Sequence, residues 1–118
     1  MLEERDQMDY DNILIEINGL ITKLDSIIDI MHESTENVID LGNVNHELQS
    51  CLDKLDIIID NLNDPNKKSM LISAKSNITF ATLDIIDNVN IFDKIMRLKD
   101  AKGIIMNFKN KLLIEGQL

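Results

Sequence analysis

Tryptophan is absent from this 118-residue chain, and its aromatic rings are confined to one Tyr and three Phe. That scarcity argues against the stacking platforms on which bases or sugars are held. The single cysteine, Cys51, excludes an intrachain disulfide and is compatible with a reducing cytosol. Four glycines, Gly19, Gly42, Gly103 and Gly116, lie too far apart to build a phosphate-cradling loop. No apolar run approaches the roughly 18 residues of a spanning helix, and positions 1–11 are acidic, unlike a signal peptide. A cytoplasmic protein is expected. Cations are scarce as well: 12 basic residues face 21 acidic ones, a formal charge of −9 that disfavours phosphate backbones and anionic lipid. Neither nucleic acid nor a membrane is therefore an expected partner. The one basic gathering, Lys94, Arg97, Lys99, Lys102, Lys109 and Lys111, reads as cations near helix C-termini, where they complement the macrodipole.

What the chain does have is Ile and Leu at alternating three- and four-residue spacing. One seam runs Leu14, Ile17, Ile21, Leu24, Ile28, Met31, and a second Leu48, Leu52, Leu55, Ile59, Leu62. A third runs Leu71, Ala74, Ile78, Ala81, Ile85, Asn88, Phe92, Ile95, and a fourth Ala101, Ile105, Phe108, Leu112. Such spacing keeps one stripe of a helix against a partner helix. The expected fold is all-α: an antiparallel bundle in a single domain, with helices over about 9–33, 43–63 and 65–99 and a short C-terminal helix over about 103–114.

Breakers set those limits. Asp64 can cap a helix whose first position is Pro65, where the missing N–H costs nothing. Extending the first seam forward makes Leu52 a d position while the second makes it an a, so a stammer, a kink or a full turn is expected near Gly42. Gly103 reads as a C′ residue before the last helix, and Gly19 as tolerated within the first at a cost of about 1 kcal/mol. A helix over 65–99 would be roughly 50 Å long, too long to bury its stripe against short neighbours. An elongated bundle or completion of the core by a homodimer follows from that length.

One local constellation carries possible chemistry. The run His46-Glu47-Leu48-Gln49-Ser50-Cys51-Leu52 resembles the phosphoacceptor box of sensor histidine kinases, a His-Glu-Leu-Arg-Thr-Pro-Leu pattern that opens a two-helix dimerisation hairpin. Gln49 stands where the family has Arg, and Cys51 where it has the kinking proline. The likeness continues from Leu83 to Ile95, similar to the Leu-Ile-Asn-Asp run that closes many such hairpins, and covers about half of the chain. It implies His46 as the phosphorylated imidazole, Glu47 as the acid/base that orients it and Ser50 as the polar residue assisting transfer or hydrolysis. It also implies a parallel dimer whose four-helix core takes two helices from each chain. A carboxylate beside an imidazole favours the tautomer with a nucleophilic nitrogen, and transfer needs an in-line, solvent-reachable acceptor. No nucleotide-binding loop accompanies the box, so any phosphoryl group would come from another protein.

Other groups suggest less. His46 and Cys51 are five apart, missing the one-face spacings of three and four, and no CxxC or HxxxH is present; neither a metal site nor a cofactor is expected. Cys51 reads as a buried or half-buried thiol beside the seam. Met8, Met31, Met70, Met96 and Met106 read as core filler first and an adaptable partner-binding surface second. With no complete catalytic set, the expected function is that of a small, acidic, non-catalytic helical protein that binds and regulates or chaperones a protein partner. Ile85, Phe92 and Ile95 on the third seam are its expected contact residues. A histidine phosphotransfer or decoy protein is the alternative.

Overall fold

The computed structural model describes residues 9–35, 41–83 and 90–116, and these form four helices. They are α1 (Tyr10–Glu33), α2 (Gly42–Asp60), α3 (Pro65–Thr82) and α4 (Ile91–Glu115), with no strand among the described residues. Asp9 starts α1 by accepting the Asn12 amide at 2.8 Å, and Asp64 starts α3 by accepting the Asn66 amide at 2.8 Å, with Pro65 in the first turn. Both carboxylates satisfy amides that lack a partner within the helix. Gly116, at φ +67°, closes α4 through its amide to the Leu112 carbonyl.

Cross-helix side-chain pairs give the topology. Glu16 meets Lys54 and Lys23 meets Glu47, so α1 and α2 run antiparallel. Asp56 with Lys75 sets α2 against α3 in the same sense. Asn77 with Arg97 and Lys67 with Glu115 set α3 against α4. Tyr10 with Leu112 and Asp25 with Lys102 close α4 back onto α1. The chain thus goes up, down, up, down around one core.

Every helix buries a stripe with the expected alternation. In α1 it is Ile13, Ile17, Leu20, Leu24, Ile27 and Met31; in α2, Val44, Leu48, Cys51, Leu55 and Ile58, continued by Leu62. In α3 it is Lys67, Leu71, Ala74, Ile78 and Ala81, and in α4 Ile91, Lys94, Leu98, Ala101, Ile105, Phe108 and Leu112. The centres of the first two stripes lie one residue earlier than the sequence seams at alternate positions, so Leu14, Ile21 and Ile59 are only partly buried. Each helix touches two neighbours, and the buried face widens towards both.

Two boundaries differ from those expected. The helix expected over 65–99 is two helices: α3 stops at Thr82, Leu83 is extended (φ −69°, ψ 120°), and Asn90 enters α4 from the left-handed region at φ +54°. Asparagine is among the few non-glycine residues that visit this region routinely. Gly103 does not end a helix but lies inside α4, because Ala101, Ile105 and Phe108 keep the stripe buried on both sides of it. Three long helices and a short one become four of 18 to 25 residues. The length argument for self-association falls with the 65–99 helix. The junction between α1 and α2 includes residues 36–40, outside the described residues, and α2 starts afresh at Gly42, a full reversal of direction in place of a stammer.

Candidate functional site

Placement on α2 decides how the phosphoacceptor-like box is displayed. Leu48, Cys51 and Leu55 point into the core, which turns His46 outward to an exposed position and leaves Glu47 and Ser50 half-buried. Ser50 lies one turn after His46 on the same side of the helix. The Glu47 carboxylate pairs with Lys23 of α1 at 2.7 Å, and this hydrogen bond and charge hold it below the usual carboxylate range. Lys23 is raised in turn, chiefly by Glu47. Glu47 is therefore an α1–α2 clasp.

The clasp borders a mostly apolar groove of about 620 Å³ between α1 and α2, whose walls include Gly19, Ile27, Ile30 and Val44. A second groove, of about 430 Å³, lies between α1 and α4 beside Ile28, His32, Lys102, Gly103 and Met106. Gly19 and Gly103 each face one of these grooves, and a Cβ at either would meet nothing within 4 Å. Nothing in the chain itself requires glycine there.

Of the three contact residues expected on the third seam, Phe92 is 64% exposed on α4 and Ile95 is 2% exposed within the core. Ile85 lies outside the described residues. Burial removes Ile95 from any surface role. Large apolar side chains are exposed at the same end of the α3–α4 pair: Phe80, Leu83 and Met96 join Phe92, with the Arg97 guanidinium 4.5 Å over the Phe80 ring. The methionines among the described residues divide, Met8 lying outside them. Met31 is buried and Met70 half-buried, whereas Met96 and Met106 are exposed and fill no core.

The missed signal lies in α4. Phe92, Met96, Lys99, Gly103, Met106, Asn110 and Leu113 form a second stripe at spacings of four and three, on the outer face of the helix away from the buried one, and all seven are exposed. The sequence shows this spacing; following a single seam per helix conceals it.

Cys51 is fully buried on the core stripe of α2, and burial pushes its thiol up to about 11. A thiol so shielded and so weakly acidic is a poor nucleophile at neutral pH. No group of three His, Cys, Asp or Glu residues among the described residues could hold a metal ion. No helix among them is long and apolar enough to cross a membrane. Compared with known proteins, the chain matches no family model, no curated protein and no solved structure.

Proposed function

We propose that this chain is a non-catalytic helical protein that binds a protein partner and regulates or chaperones it in the cytoplasm. The observation that carries this reading is the exposure of Phe92, Met96, Met106 and Leu113 along one face of α4 while the four helices already enclose a core of their own. Scattered surface apolar residues are ordinary, but a stripe in helical register is the form in which a helix meets another helix. Phe92→Asp, at a position the core does not use, is expected to abolish copurification of the partner with helicity unchanged. Retained copurification would count against the α4 face. Ile95→Asp is unsuitable for this purpose, since it places a charge in the core. A homodimer through the same face is the competing arrangement, and sedimentation of the purified chain distinguishes it.

A second reading, histidine phosphotransfer, is favoured by the outward placement of His46 with Ser50 one turn beyond it. On that reading His46 is the acceptor, Ser50 assists, and Glu47 acts only after leaving Lys23. Incubation with a phosphorylated receiver domain or an active kinase should then place acid-labile phosphate on the chain, and His46→Gln should remove it. Absence of label with several donors, or label that survives the substitution, rejects the phosphotransfer reading.

A further inference from the structure

We infer that the exposed stripe of α4 receives an amphipathic helix of a partner protein, acidic along the edge that faces Lys99 and Lys109. This rests on the partner-binding reading and specifies its surface and the chemistry of the partner.

The argument begins with charge. α4 carries six cations against three anions, a net +3, while the rest of the chain, whose total is −9, carries −12. Complementing the helix macrodipole does not account for this. α4 starts at Ile91, so Lys99 and Lys102 lie near its middle, and its last turn holds no cation. Pairing within the chain accounts for part: Lys102 meets Asp25 and Arg97 meets Phe80 and Asn77. Lys99 and Lys109 form no ion pair among the described residues.

Geometry places these cations on the apolar stripe. Lys99 is a member of it, between Met96 and Gly103, and Lys109 flanks it beside Asn110. Lys102 and Lys109 line the edge towards α1, where Asp25 and Asp29 share the groove with Lys99 and Lys102, and Asp93, Asp100 and Lys111 lie on the opposite edge, as the 100° turn per residue requires. From Phe92 to Leu113 the stripe is about 31 Å long, the length of a partner helix of some six turns. Gly103 stands at its middle with open space where a Cβ would be, so a second helix can come closest there. The occupant thus needs apolar residues at alternating three- and four-residue spacing, acids along one edge and neutral or basic residues along the other. The described residues outside α4 carry 11 acids against 5 bases, which disfavours such a helix on their surfaces relative to α4.

The probe is a synthetic 21-residue helix with Leu on the seam, Glu along one edge and Gln along the other, compared by titration calorimetry with a twin in which Lys replaces Glu. The acidic peptide should bind, at least tenfold more tightly than the Lys twin. Met96→Asp with Met106→Asp should abolish binding without loss of helicity. Lys99→Glu with Lys109→Glu should reverse the preference in favour of the Lys twin. No binding by the acidic peptide, equal binding of the twins, or binding unaffected by either pair of substitutions overturns the inference. So does sedimentation as a dimer that Met96→Asp with Met106→Asp dissociates, since a second copy would then hold the face. A partner that copurifies through another surface would sink this assignment and leave the partner-binding reading intact.

Discussion

Cys51 and Lys67 show how single residues in this core are governed by what surrounds them. The Cys51 thiolate is disfavoured by burial, so the folded chain holds its proton up to about pH 11 while the unfolded chain releases it near 9. The sign follows: the Cys51 contribution is flat below pH 9 and lowers stability as pH rises from 9 towards 11, by about 1.4 kcal/mol per unit at most. Denaturant titrations across that range should show the loss, and Cys51→Ala, less stable at neutral pH through its cavity, should flatten it. Alkylation by iodoacetamide should be slow in the native chain and fast in denaturant. Lys67 is 1% exposed yet reaches Asp64 at 3.0 Å and also pairs with Glu115, clasping the start of α3 to the end of α4. Lys67 is raised, first by Glu115 and then by Asp64; Asp64 is lowered, first by Lys67. The clasp therefore stabilises between the two extremes, failing as acid protonates Asp64 below its ordinary value and as alkali neutralises Lys67 above its own. Lys67→Ala should cost about 1 to 2 kcal/mol in urea unfolding, with Lys67→Met restoring the part due to packing of the stem.

At the scale of elements, the boundary at Asp64-Pro65 was legible because cap and proline leave one arrangement open, and the structure has it. The boundary between α3 and α4 was not. Ile78, Ala81, Ile85, Asn88, Phe92 and Ile95 keep the heptad phase across the break, so periodicity alone reports one helix. Its local cues, extended Leu83 and left-handed Asn90, are conformations that leave only a weak trace in composition. Gly103 misled for the opposite reason: glycine weakens a helix by about 1 kcal/mol, and tertiary burial on both sides outweighs that. Gly19→Ala and Gly103→Ala should each raise the unfolding free energy by about 0.5 to 1 kcal/mol, since the added methyl meets nothing. Thermal unfolding by circular dichroism checks this. A fall in stability at either position would mean that the open space is filled.

At the scale of the molecule, the helix-on-helix architecture was readable from spacing alone, and the same spacing turns His46 outward, since it falls off the seam of Leu48, Leu52 and Leu55. Which face α4 leaves uncovered was not readable, because Phe92 and Ile95 belong to one sequence seam and part company only when the helix starts afresh at Ile91. A seam names residues that share a face; it does not say how many neighbours that face has. The Tyr10 hydroxyl donates to the Leu112 carbonyl at 2.8 Å, and this closes the circuit of four helices. Because the end of α4 lies beside the start of α1, the four helices can be re-cut: joining position 116 to position 9 through a short linker and opening the 62–64 turn gives the order α3, α4, α1, α2 with every packed pair retained. That circular permutant should fold to the same helicity, with α1 and α4, now consecutive, meeting earlier in folding because their separation along the chain has shrunk.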